Sequence, residues 1–415
     1  MNARNDVKLD DAREREARLR EDIAAWMEAH LCGAFACLRY RGGPGDEDAF
    51  PELRKDWERE LAAGGWTGLG WPVEAGGRGW SVADQVIFHE EYARAGGPGR
   101  MGHIGEGLLG PTLIACGSAD QCARFLPGIL AGTQFWCQGY SEPGAGSDLA
   151  NVRTRAERQP DGAWRIDGQK VWTSLAHDSG WIFVLARSDA QSRGNKGLSF
   201  FLVPLEQPGV EIRPIRQMNG GAEFNEVFFD GARAEAADLV GQPGDGWRIA
   251  MTLLGFERGI STLGQQMQFI RELDWVIEAA KEAGVDGDAS IRARIARAWA
   301  GLRIMRHNAL RMLGVEGTPG TQGASAVQDK SALIYKYYWS NWHRDLGQLA
   351  MDVLGDQANF VDVASNGAEM TKRSRLQGVF LFSRADTIYA GTNEIQLNIM
   401  AERGLGMPRE PRGQA

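Results

Sequence analysis

The sequence predicts an α+β protein, mostly α: an N-terminal helical domain, a central antiparallel β-barrel or sandwich, and a C-terminal four-helix bundle. Two changes of hydrophobic period carry this. Apolar residues recur at three and four positions up to about Gly132, at every second position from Thr133 to about Val240, and at three and four again from Gly246. At 415 residues the chain also exceeds one simple core. The expected boundaries are 1–132, 133–245 and 246–415.

In the first part, residues 11–31 carry apolar positions at helical spacing, and Ser81 opens a second such run through Ala95. Ser118-Ala119-Asp120 reads as an N-cap before a helix over 121–130, which Pro127 is expected to kink or shorten. In the middle part, residues 152–156 alternate. Pro160-Asp161-Gly162 is a turn before a strand at Trp164-Arg165-Ile166. Asp167-Gly168 reads as a hairpin turn before a further strand at Lys170-Val171-Trp172. Residues 181–186, 198–203 and 224–229 are further strands. In the last part Leu253, Phe256, Ile260, Leu263, Met267 and Ile270 step by three and four, as do Ile291, Ile295, Ala298, Leu302 and Met305. Long amphipathic runs of this kind assemble into bundles.

The net charge of −8, from 46 basic and 54 acidic side chains, argues against nucleic acid as a partner. A phosphate-bearing ligand remains open, because helix N-termini bind anions. The five cysteines are odd in number and never spaced as CxxC, which reads as a set of reduced thiols in a cytoplasmic protein. The first eleven residues carry no apolar signal core, and no apolar run is long enough to span a bilayer. The six histidines show no paired-ligand spacing, so no structural metal is expected.

Gly105-Glu106-Gly107-Leu108-Leu109-Gly110 matches GxGxxG by letter only. No strand precedes it, Pro111 follows it, and packing glycines are the better reading. Gln138-Gly139-Tyr140-Ser141-Glu142-Pro143-Gly144-Ala145-Gly146-Ser147-Asp148 is a loop after a strand. Its residues suit either an ordinary turn or the close approach of backbone to a ligand. Lys170-Val171-Trp172-Thr173-Ser174 offers a flat indole and two hydroxyls, although one tryptophan of 14 could equally be core. Gly391-Thr392 caps a helix over 393–403, either as a plain cap or as a seat for a pyrophosphate.

Together the stretch from Gln138 to Asp148 and Ile388-Tyr389-Ala390-Gly391-Thr392-Asn393-Glu394-Ile395-Gln396 resemble the two diagnostic segments of the acyl-CoA dehydrogenase family, flavoproteins that desaturate acyl thioesters. The order of helices, strands and helices is also that family's, so the resemblance spans nearly the whole chain. It implies FAD, with the Tyr140 backbone and Ser141 at the flavin pyrimidine, Trp172 covering the ring, Ser174 at N5, and Gly391 and Thr392 at the phosphates. It implies an acyl-CoA substrate near Ser147 and Arg258, and an electron-transfer flavoprotein as acceptor. A homo-oligomer (dimer or tetramer) or a hetero-oligomer is implied as well, because flavin contacts in this fold cross a subunit interface.

One family residue is missing. The commonest catalytic glutamate follows the tyrosine of the second segment, where this chain has Ala390, which retains only its backbone N–H for the thioester carbonyl. Glu257 is the expected substitute. Leu253 lies at i−4 and Ile260 at i+3, and no cation stands at i±3 or i±4. Desolvation of such a carboxylate raises its pKa toward that of a useful base. A branch of the family, including isovaleryl-CoA and long-chain dehydrogenases, carries its base on this helix just before an arginine, as in Glu257-Arg258. An ion pair with a distant arginine is the plainer alternative for Glu257. The family's arginine and phenylalanine-glycine pattern for the ADP part of FAD is absent around 291–302, and its late double glycine is reduced to Leu354-Gly355-Asp356. A partner subunit could supply both. Two alternatives therefore stay open: another flavin chemistry on the same fold (an acyl-CoA oxidase, or nitro or amine oxidation), and a catalytically silent FAD- or CoA-binding subunit of a hetero-oligomer.

Overall fold

Five helices open the chain: α1 (Ala3–His30), α2 (Pro51–Ala63), α3 (Val82–Arg94), α4 (Gly110–Cys116) and α5 (Ala119–Leu130). The computed structural model describes residues 3–43, 45–256, 261–312, 332–360, 362 and 371–409. Ser81 caps α3 by accepting the Asp84 N–H at 3.2 Å, and Ser118 with Gln121 forms a reciprocal capping box on α5. Pro127 does not shorten α5, which continues to Leu130. The ring removes one N–H, but the Ala131 N–H still closes on the Pro127 carbonyl at 2.9 Å. The Arg20 guanidinium ties α1 to α3 through Glu91 at 2.7 Å and Glu90 at 2.9 Å. Beneath it lies a core of Ile23, Met27, Trp57, Leu61 and Phe88. The GxGxxG letters form one π-helical turn (Gly105–Leu109) running straight into α4. A Cβ on Gly110 would fall 2.0 Å from the Trp71 ring, so this is a packing glycine.

Eight strands follow: β1 (Trp136–Gly139), β2 (Arg155–Arg158), β3 (Trp164–Ser174), β4 (Trp181–Arg187), β5 (Leu198–Pro204), β6 (Val210–Pro214), β7 (Phe224–Ala234) and β8 (Leu239–Val240). Their order is β6-β7-β3-β2-β4-β5-β8, with β1 also on β4. Pairing is antiparallel except for β1 and β2, which both run parallel to β4. The sequence reading misses β6, which is short and has no buried residue, and β8, which has two residues.

Asp167-Gly168 is not a hairpin turn: β3 runs through it as one strand. Gly168 stands at φ +151°, and a Cβ there would lie 2.6 Å from the Thr154 hydroxyl. The glycine therefore serves close approach of the neighbouring chain. Two bulges interrupt the β3–β7 ladder. Between Ile166 and Asp167 the extra residue is on β7, and between Lys170 and Thr173 it is on β3.

The helix α6 (Gly246–Phe256) lays Ile249, Ala250 and Leu253 on Leu198, Phe200, Leu202 and Val240. It closes the first of two compact units, Met1–Ser261 and Thr262–Ala415. The apolar steps from Leu253 to Ile270 thus span two helices, with residues 257–260 outside the described ones.

The second unit holds α7 (Ser261–Glu282), α8 (Ala289–Met312), α9 (Ala332–Leu354), α10 (Lys372–Ala385) and α11 (Asn393–Ile399). Trp342 and Tyr338 of α9 donate to the α8 carbonyls of Ala298 (2.9 Å) and Gly301 (3.1 Å). Among the described residues, no helix is long and apolar enough to cross a membrane.

Candidate active site

The Tyr140 loop is held from below by one buried cation. The Tyr140 ring is buried edge-on to Phe183 and Phe200, at 5.9 and 6.4 Å between centroids. Lys170 is wholly buried and donates to the Tyr140 carbonyl (3.0 Å), the Leu185 carbonyl (2.8 Å) and Glu142 Oε1 (2.9 Å). Its three N–H groups thus meet three acceptors. Glu142 accepts two further bonds, from the N–H groups of Arg153 (2.6 Å) and Thr154 (2.8 Å). The Val171 N–H donates to the Ser141 carbonyl at 3.0 Å, and Glu142 and Ala145 exchange backbone bonds that close the loop. Burial draws Lys170 down to about 8 against the pull of Glu142. Burial alone would raise Glu142, but Lys170 and the hydrogen bonds hold it below the usual carboxylate range. The pair is charged at neutral pH. Beyond it, Gly144 and Gly146 face open space and Ser147 is exposed.

Trp172 follows directly on β3. Strand alternation would place it on the buried face with Trp164, Ile166 and Lys170. The extra residue of the second bulge reverses this: Trp172 takes φ +60° and its indole is 58% exposed, while Thr173 is buried. Phe224 supports the indole edge-on at 6.1 Å. Ser174, partly buried, ends the strand. Beside it the Leu175 N–H donates to the Glu223 carbonyl at 2.8 Å, and Asn225 Nδ2 donates to the Thr173 carbonyl at 3.0 Å. Tyr140, Ser141, Trp172 and Ser174 therefore form one group within the first unit.

The second group lies in the second unit. Ala390 and Gly391 are successive left-handed residues, at φ +51° and +84°. The Ala390 carbonyl accepts the Gln396 side-chain amide at 3.2 Å. A Cβ on Gly391 would fall 2.7 Å from that amide, so the turn needs glycine there. Thr392 caps α11 by accepting the Ile395 N–H at 3.2 Å. Asn393 anchors the turn to α9 through the Ser340 hydroxyl at 2.9 Å. Glu257 and Arg258 lie outside the described residues.

Glu142 and Lys170 are missed as site residues by the sequence reading. A signal for Lys170 exists in its even-numbered place on the inward face of β3 after Trp164 and Ile166, where a charge needs a partner.

Comparisons with known proteins match this architecture. Models of the N-terminal, middle and C-terminal domains of acyl-CoA dehydrogenases match residues 13–133, 137–232 and 244–405. Acyl-CoA dehydrogenase IpdE1 of Mycolicibacterium smegmatis is 54% identical over 403 residues, covering 95% of this chain and 98% of that protein. Among solved structures, the Tcur3481-Tcur3483 steroid ACAD aligns with a TM-score of 0.80 at 30% identity, over 96% of this chain and 98% of the other. The ChsE4-ChsE5 complex from Mycobacterium tuberculosis aligns with a TM-score of 0.77 at 27% identity, over 95% and 98%. The chain belongs to the acyl-CoA dehydrogenase family, whose members are FAD-binding oxidoreductases.

Proposed function

We propose that this acyl-CoA dehydrogenase desaturates an acyl-CoA thioester between its α and β carbons, with Glu257 as the base. One observation carries the site: a bulge expels the Trp172 indole to the surface beside the Tyr140–Ser141 backbone, which a buried ammonium holds. These residues fit FAD. A flat exposed indole suits a ring face, and the loop backbone with the partly buried hydroxyls of Ser141 and Ser174 suits an edge of alternating donors and acceptors. Gly391 and Thr392 are the residues proposed for its phosphates. FAD, when bound, supplies the hydride acceptor for the β-hydrogen.

The chain's own groups do the rest. Glu257 takes the α-proton, and the Ala390 N–H donates to the thioester oxygen, where charge develops. Ser147 and Arg258 orient the substrate. Two facts support Glu257: Ala390 has no carboxylate, and Arg258 follows Glu257 as in the branch with a helix-borne base.

The names of the structural neighbours support a narrower reading. One is a steroid ACAD, and both names join two proteins. We infer a bulky steroid-derived acyl-CoA and a hetero-oligomer whose partner completes the ADP contacts missing around 291–302 and at Leu354-Gly355-Asp356. An electron-transfer flavoprotein as acceptor and the three-part division at 132 and 245 belong to the same proposal.

The test is an anaerobic screen of acyl-CoAs, steroid-derived ones included, for bleaching of the flavin in the FAD-supplied protein with candidate partners. A preparation that never shows flavin absorbance sinks the cofactor assignment, and one that no acyl-CoA bleaches sinks the desaturation. Glu257→Gln is expected to slow bleaching by ~10²–10⁴ while FAD stays bound. Bleaching at the parent rate would assign the base elsewhere.

A further inference from the structure

The C-terminal bundle buries a charge network that the reaction above does not use. His343 of α9 is 1% exposed and stands between two buried carboxylates. Its Nε2 meets Glu272 of α7 at 2.6 Å, and its Nδ1 meets Asp386, the residue after α10. Both ionised carboxylates receive a proton donor only if both ring nitrogens carry hydrogen, and the two carboxylates favour that imidazolium form. Gln268 donates to the other Glu272 oxygen at 3.1 Å, and the rings of Phe269 and Trp342 lie 4.5 and 6.4 Å away. Asp386 reaches further. Its second carboxylate oxygen accepts the Tyr389 hydroxyl at 2.7 Å, and its carbonyl accepts the Lys336 ammonium. Lys336 adds a second cation within electrostatic reach of Asp386.

Stability does not account for such a network, because well-packed apolar residues in its place are often neutral or stabilising by roughly 1–4 kcal/mol. What it does provide is placement. Asp386 is fixed from α9 by His343 and Lys336, His343 is itself held from α7 by Glu272, and Asp386 hands that constraint to Tyr389, the neighbour of Ala390. A left-handed alanine costs about 1–2 kcal/mol and persists only where its surroundings impose it. We infer that His343 is a positioning residue: through Asp386 and Tyr389 it holds the 389–392 turn so that the Ala390 N–H is set for the thioester oxygen. The clamp stands on the geometry above, and its link to the thioester rests on the reading of Ala390 under Proposed function.

The test uses the FAD-loaded protein with its partners, as His343→Gln and Tyr389→Phe. Amide hydrogen exchange reports the turn without substrate. Flavin reduction by the acyl-CoA that bleaches the parent fastest reports the chemistry. Both variants are expected to exchange faster at 387–392; in Tyr389→Phe, which leaves every buried charge paired, α7, α9 and α10 keep the parent's protection. The reduction rate constant is expected to fall about ten- to a hundredfold, with KM little changed. Unchanged exchange in the turn of either variant, or exchange in Tyr389→Phe that quickens throughout the bundle, overturns the inference. Faster exchange confined to the turn, with reduction at the parent rate, keeps the clamp and sinks the Ala390 reading instead. If His343→Gln fails to fold, Tyr389→Phe decides alone, since it removes one hydroxyl and leaves every buried charge.

Discussion

The two segments that carry the candidate site are each braced by a buried cation, and the braces differ in kind. Lys170 serves one carboxylate and two carbonyls. His343 serves two carboxylates. Burial disfavours both charges. One carboxylate does not offset it at Lys170, which is drawn down to about 8. Two carboxylates more than offset it at His343, which is pushed up to about 10. At equal burial the two shifts are opposite, with one carboxylate facing Lys170 and two facing His343.

Deleting each cation tests this most severely. Breaking a buried pair costs roughly 3–5 kcal/mol. Lys170→Met is expected near the lower end, because Glu142 keeps the N–H groups of Arg153 and Thr154. His343→Leu is expected to cost more, since it strands both Glu272 and Asp386. Urea unfolding measures both, and equal losses would break the comparison. Lys170→Met should also weaken FAD retention, read by gel filtration and flavin absorbance.

The pH dependence sharpens it further. The folded pKa of His343 is raised from 6.5, so its stabilisation is complete below pH 6.5 and is lost as pH climbs to about 10. The folded pKa of Lys170 is lowered from 10.5, so the unfolded chain holds that proton more tightly and stability rises between pH 8 and 10.5. Unfolding free energies across pH 6–10.5 should therefore fall less steeply in His343→Gln than in the parent, and more steeply in Lys170→Met. Slopes that move together would contradict the opposed shifts.

The smallest effect concerns backbone. Ala390→Gly should stabilise by about 0.5–1 kcal/mol, because relief of the left-handed strain exceeds the added freedom of the unfolded chain. A melting temperature that falls would mean that the turn needs the methyl group.

The succession of helices, strands and helices was legible because each period persists over long stretches, as from Ile291 to Met305 in α8. The Thr392 cap was legible too, because a cap is a local pattern. Asp167-Gly168 misled because a glycine admitted for close approach to Thr154 looks the same in sequence as a glycine of a turn. The exposure of Trp172 was hidden, since strand alternation points it inward and only the bulge turns it out. His343 falls on the inward stripe of α9 with Trp339 and Leu346, so its burial was readable. Its partners were not: Asp386 lies 43 residues away and Glu272 71, beyond any local spacing rule.

The two bulges of the β3–β7 ladder lie on opposite strands, so the second undoes the shift made by the first, and the pairing regained at Thr173–Asn225 is in phase with that at Trp164–Ala234. The strand is thereby constrained in length more than in composition. Side chains along it can drift as long as size and polarity are kept. A single inserted or deleted residue between Ile166 and Thr173 cannot be absorbed in the same way. It would carry the Lys170 ammonium to the outer face or the Trp172 indole to the inner one, and would slide the Ser174 end out of step with β7.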